Sequence, residues 1–239
     1  MTSPARYTKG VTNVESAAVF GQIGLPDPTK YHVFFDDFNQ MDWGKWSTLS
    51  SEPADISVAQ QDSDDGRVLI TLPATEDTYM AFQAWGGEGG EIFTLESGKK
   101  LWFKVKLQGN DVDQIDIIAG LISRSTTEAG VFGSGCADGV VFASDDGDAY
   151  IDFYVRSGSA TISSSTIVAS LTDATDQVLG FYFDGVDTIH YFTGETNVSG
   201  TIETTSFPTA ALLPVLGIRN GEATANTLNV DFICVIKER

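Results

Sequence analysis

Cleaving a glycosidic bond takes two carboxyl groups flanking it, one to protonate the leaving oxygen and one to activate water or attack directly. A β-strand projects such acids together only from alternate positions, because residues i and i+2 share a face. The spacing to look for is therefore Glu-x-Asp-x-x-Glu or a near variant. None of the eleven Glu residues is followed two positions later by Asp. The nearest acidic groupings are Asp113-Gln114-Ile115-Asp116 and Asp145-Asp146-Gly147-Asp148. Both are expected in turns, where solvated acids are ordinary. The sequence predicts no glycosidase and no enzyme.

Nucleophilic catalysis has as little to work with. His32 and His190 are the two histidines; both fall in strand-like runs with no G-x-S-x-G elbow beside them, and read as strand-face residues. Cys136 in Gly133-Ser134-Gly135-Cys136-Ala137-Asp138-Gly139 has the look of a reactive loop. The glycines miss the G-x-G-x-x-G spacing, however, and no helical pattern follows to receive a phosphate. Asp62, Asp64, Asp65 and Gly66 suggest a calcium loop, yet the twelfth position, where an EF-hand needs Glu, is Pro73. Calcium at that turn, or near Asp145, Asp146 and Asp148, is the metal chemistry left open; no cofactor is expected. Sugar binding would need an exposed aromatic platform beside polar groups. Of Trp43, Trp46, Trp85 and Trp102, the most site-like is Trp85, which precedes Gly86-Gly87-Glu88-Gly89-Gly90.

The elements that would position these residues are strands. In Lys99 to Leu107, the residues Leu101, Phe103, Val105 and Leu107 alternate with Lys100, Trp102, Lys104 and Lys106, and Ile115, Ile117, Ala119 and Leu121 repeat the pattern after Gly109-Asn110-Asp111. This reads as a strand pair with one apolar face, which a second sheet must cover. Further strands are expected at Tyr31 to Asp37, Asp55 to Gln60, Arg67 to Leu72, Tyr79 to Trp85, Val140 to Ala143, Tyr150 to Arg156 and Thr166 to Leu171. Val178 to Asp184 and Thr188 to Phe192 flank Asp184-Gly185-Val186-Asp187, a strong hairpin signal. In Ala211 to Arg219, Pro214 argues that the start of the strand is an edge or bulge position. Thr227 to Lys237 closes the chain with Leu228, Val230, Phe232, Cys234 and Ile236 on one parity. About a dozen strands with turn clusters between them, and no convincing helical periodicity even in the nearest candidate, Val11 to Phe20, which Asn13 and Ser16 cross, predict an all-β, two-sheet antiparallel jelly-roll sandwich.

The 239 residues show no linker between two apolar halves and read as one domain, residues 31–239, preceded by an extended N-terminal arm, residues 1–30. A globule of this size buries roughly 70–75% of its unfolded surface, so stability requires neither disulfides nor metal. Two cysteines without metal spacing fit a reducing compartment. With 14 basic against 33 acidic residues and a net charge of −19, no nucleic-acid surface is expected. No signal-peptide pattern is visible, and no run approaches the ~18 apolar residues of a membrane span. The sequon at Asn197 is therefore read as incidental. The arm is too apolar for a solvated tail, and lies either on its own sandwich or on a neighbouring subunit.

The order of blocks, a DDF strand early, GKKLWFKVKLQ in the middle, LGFYFDGVDTIHYF late, and GIRNGEA with NVDFICVIKER at the end, resembles concanavalin A-like lectin/glucanase sandwiches. More narrowly, it is similar to a family of virion structural proteins of short-tailed phages from marine and related bacteria, which also open with an arm like RYTKGVTNV and a GLPDPTKYH lead. The resemblance covers nearly the whole chain and implies no functional residue. It implies a decoration or cement protein on the exterior of the phage head, made in the host cytoplasm and touching the major capsid protein or another virion protein. Attachment would run through the arm, with Arg6, Tyr7, Lys9, Val11 and Phe20 as candidate capsid or subunit contacts, in a homo-oligomer, with a trimer expected. The alternative is a lectin-like carbohydrate-binding adhesin or fibre module, with Trp85 as its glycan contact.

Overall fold

A computed structural model describes residues 28–51, 54–61, 66–84, 90, 92–132, 135–194 and 198–239. Among them one sheet holds β1 (Tyr31–Asp36), β3 (Ser57–Gln61), β4 (Arg67–Thr71), β6 (Leu101–Gly109), β11 (Gln177–Phe183), β12 (Thr188–Thr193), β13 (Gly200–Glu203) and β15 (Thr227–Glu238). The other holds β2 (Ser47–Ser50), β5 (Tyr79–Gln83), β7 (Ile115–Ile122), β8 (Gly139–Ala143), β9 (Tyr150–Ser157), β10 (Ala160–Ser170) and β14 (Leu213–Asn220). We call them sheets A and B. The order in sheet A is β13-β12-β11-β6-β15-β4-β3, with β1 also on β15; in sheet B it is β10-β9-β8-β7-β14-β5-β2. All pairings are antiparallel. The described residues contain one 3-10 turn, Glu128–Gly130, and no helix long and apolar enough to cross a membrane.

The alternation in β6 holds: Leu101, Phe103, Val105 and Leu107 enter the main core, as do Ile115, Ile117, Ala119 and Leu121 of β7. These strands are not paired with each other, however. β6 lies between β11 and β15, and β7 between β14 and β8, so the break at Gly109 carries the chain from one sheet to the other. Each strand's apolar face thus covers the other's across the sandwich. The hairpin at Asp184–Gly185 forms as expected, with Gly185 at φ 84° and the Val186 N–H donating to the Asp184 carboxylate at 2.8 Å.

Two expectations fail for physical reasons. Pro214 does not mark an edge, because β14 is interior; the proline stands at its second residue, just past the end of β5, and offers only its carbonyl, to the Ala84 N–H at 2.9 Å. The single parity of β15 is broken by a bulge between Val230 and Phe232. Leu228, Val230, Ile233 and Val235 enter the core, and Phe232, Cys234 and Ile236 are turned to the outer face. The bulged residue, Asp231, meets Lys106 at 2.7 Å and Arg67 at 3.5 Å, and Asp176 meets the same two cations at 3.2 and 2.8 Å. The paired hydrogen bonds from Arg67 hold the Asp176 carboxyl down to about 2. β2 and β13, four residues each, were not expected. β10 is longer than its apolar stretch, because polar residues suffice on an exposed edge.

Candidate functional site

Alternate residues of sheet B point away from the core, and on this side lies a group of acids shifted upward. Asp116 on β7 stands opposite Arg219 on β14. Its carboxylate forms an ion pair with Arg219 Nη2, while the Asp146 N–H donates to Oδ1 at 2.5 Å. Arg219 Nη1 reaches Glu128 Oε1 at 3.0 Å. Burial pushes the Asp116 carboxyl up to about 6, because desolvation outweighs the attraction of Arg219. The neighbouring Asp145 is raised too, by burial and then by Asp152. Asp152 accepts the Tyr154 hydroxyl at 2.9 Å and the Ile167 N–H at 2.7 Å; burial and that bond raise the phenol.

A carboxyl titrating near neutrality beside other acids is what a general acid needs, but this one has no access to substrate. Asp116 is fully buried. Over the adjoining face lies the segment 123–138, whose Val131, Phe132 and Cys136 pack on Ala81, Ile118, Ile122, Val141 and Val215. Gln83 fixes its start through two hydrogen bonds with Ser125, at 2.8 and 2.9 Å, and Arg156 its end through the Cys136 carbonyl at 2.7 Å. Gly135 is required there, since a Cβ would fall 1.4 Å from the Ala129 carbonyl oxygen. The face is thus filled by the chain's own side chains.

Asp116 was expected in a turn and is a strand residue, brought against Asp146 from the second acidic grouping. The signal that could have located it is a lone charge within the apolar run Ile115 to Ile122, matched by Arg219 directly after the apolar run Leu213 to Ile218. Cys136 is inert, its thiol pushed up to about 11 by burial. His32 stacks on Phe93 at 4.6 Å and His190 on Tyr182 at 5.6 Å, as strand-face residues do. Trp46 is in the core and donates to Asp36 at 2.8 Å, whereas Trp43 is 52% exposed beside Phe82. Trp85, Asp62, Asp64, Asp65 and the arm residues Arg6, Tyr7, Lys9, Val11 and Phe20, with the rest of Val11 to Phe20, lie outside the described residues.

Near the expected calcium position, the carboxylates of Asp111, Asp113 and Asp173 come within 4.8 Å of one another. An open hollow of about 500 Å³ beside them is lined by Asp113, Asp148, Tyr150 and Asp173. Burial and the charges of Asp113 and Asp173 raise the Asp111 carboxyl. If these acids simply repel, Asp113→Asn should raise Tm by about 1–2 °C. A fall in Tm, absent after chelator treatment of both proteins, would show instead that a divalent cation is held there.

No protein-family model matches the chain, and no curated protein matches it in sequence. Solved structures do. An endo-β-1,3(4)-glucanase of family GH16, SCLam, superposes with a TM-score of 0.60 at 10% identity over 89% of this chain and 93% of its own. The carbohydrate recognition domain of Emp47p gives 0.60 at 10% identity over 87% and 97%. A protein of unknown function from Shewanella oneidensis MR-1 gives 0.57 at 16% identity over 87% of each chain. A hydrolase and a carbohydrate recognition domain lie equally near, so the likeness assigns neither activity. What it does establish is that this chain has the concanavalin A-like lectin/glucanase jelly-roll fold.

Proposed function

We propose that this protein is a non-enzymatic structural module of a phage virion, a decoration or cement protein on the head that contacts the major capsid protein and assembles with copies of itself. The observation that carries the non-enzymatic part is the filled outer face of sheet B, where the perturbed acids are consumed by Arg219, backbone N–H groups and the packed segment 123–138. A net charge of −19 suits a particle surface that must stay soluble and shed nucleic acid. The virion setting rests on the order of sequence blocks described above, and attachment on Arg6, Tyr7, Lys9, Val11 and Phe20. A second reading, a lectin-like module, is favoured by the exposure of Trp43 and by the likeness to a carbohydrate recognition domain.

Co-sedimentation with heads assembled from the major capsid protein tests the first reading. The full chain should pellet with them, and Arg6→Glu combined with Lys9→Glu should abolish this without moving Tm. A glycan array tests the second: sugar binding lost in Trp43→Ala or Trp85→Ala would replace the virion reading. Release of reducing ends from β-glucans would refute both.

A further inference from the structure

The outer face of sheet A is apolar where a solvent face should be polar. Cross-strand register sets His190, Tyr182, Trp102, Ile236 and Val33 in one row across β12, β11, β6, β15 and β1. The next row runs Phe192, Gly180, Lys104, Cys234 and Phe35. Trp102 stacks on Tyr182 at 5.3 Å and meets the edge of Tyr31 at 6.4 Å. In the middle of this face Trp102 is 6% exposed, Phe192 3% and Ile236 4%, although none belongs to either core cluster. Tyr182, His190 and Cys234 are half-buried, and exposure is highest on β1, 38% at Val33 and 52% at Phe35. Large side chains that point away from the core and are nonetheless shut off from water mark a face made to be covered.

We propose that in the free chain its occupant is the protein's own residues 1–27, laid across this face. The described chain begins with a turn at residues 28–30, fixed by the Arg239 N–H on the Lys30 carbonyl at 2.8 Å, directly before β1. The segment therefore joins the chain at the margin of the face. Extended, residues 1–27 reach ~90 Å, against about 20 Å across the five strands. Their apolar side chains, Tyr7, Val11, Val14, Val19, Phe20, Ile23 and Leu25, match the rows beneath, and their charges, Arg6, Lys9, Glu15 and Asp27, balance. The tethered segment is always present at high effective concentration, whereas a second copy must be brought in from solution. The inference concerns the chain before it meets any partner and stands apart from the virion reading.

Cysteine pairing in the full chain tests it. Thr8→Cys, Thr12→Cys or Gln22→Cys is combined with Phe35→Cys on the face, or with the exposed Ile167→Cys on sheet B as the control, each in a Cys136→Ala, Cys234→Ala background, and oxidised with diamide. At one or more arm positions an intrachain disulfide to position 35 should form at least about tenfold faster than to position 167. Equal rates at all three would mean that the segment does not rest on the face. Disulfides formed only between chains would make a second copy the occupant. Either result overturns the proposal.

Discussion

Arg219→Met is expected to cost about 3–5 kcal/mol of stability at about pH 8, and only about 1 kcal/mol at about pH 4.5. Asp116 has no solvent exposure; one oxygen is taken by the Asp146 N–H and the other faces the guanidinium. Removing Arg219 leaves that charge buried without a counter-ion and beside Asp146, and takes the same cation from Glu128. The sign of the pH dependence follows from the upward shift. A carboxyl whose folded pKa, about 6, lies above its unfolded value of 3.8 favours folding fully below the lower value, and this advantage is lost as pH rises through the upper one. Without Arg219 the folded value moves higher still, so the variant and the native chain keep the same slope up to about 6 and diverge as pH climbs above it. Asp116→Asn should remove this slope from the stability curve. Urea unfolding of the three proteins at the two pH values provides the measurement. An equal loss at both would mean that Arg219 acts through packing or Glu128 and not through the Asp116 charge.

How far the sequence went depended on how local the governing interaction is. β11 and β12 were legible because both the alternation and the Asp184–Gly185 turn lie within a few residues of each other. β6 and β7 were legible as strands and misassigned as a pair, since alternation reports which face is apolar and says nothing about the sheet to which a strand belongs. β15 fails more subtly. Its five apolar residues of one parity look like one face, but a single extra residue at Asp231 sends Phe232, Cys234 and Ile236 to the other side. The part of β15 in the outer rows of sheet A, Cys234 and Ile236, follows from that bulge, so the continuity of that face across β15 was hidden by one register shift. β2 and β13 carry few apolar residues and are ordered by the strands they join, Phe82 of β5 opposite Thr48 and Ile189 of β12 opposite Ile202. The acidic site was half legible: both groupings were marked, but that Asp116 is buried against Asp146 depends on a turn folding back over a strand. Segment 123–138, polar and Gly-rich in composition, gave no sign that Val131, Phe132 and Cys136 would pack over an outer face.

Phe181→Ala should lower stability by about 4 kcal/mol, against less than about 0.5 kcal/mol for Val186→Ala on the exposed turn that follows. The Phe181 ring is fully buried and lies stacked on Phe103 of the same sheet at 5.0 Å and 12°. Across the sandwich it meets Phe153 at 5.7 Å and Phe142 at 6.4 Å, and those two rings lie 4.6 Å apart. Phe181 therefore joins the aromatic layers of sheets A and B, and its loss removes both the buried ring and the contacts that hold the sheets at their spacing. The site has little freedom to close over the gap, because β11 is held on both sides by the ladders to β6 and β12, and Gly180 next to it already admits the Phe192 ring on the outer side. A cavity should persist, and the cost should exceed that of transferring the ring alone. Phe181→Leu, which refills much of the volume, should recover more than about half of the loss. The measurement is the urea midpoint at constant m. A loss below about 2 kcal/mol for Phe181→Ala would mean that the sheets settle toward each other, and that the aromatic bridge follows their spacing and does not set it.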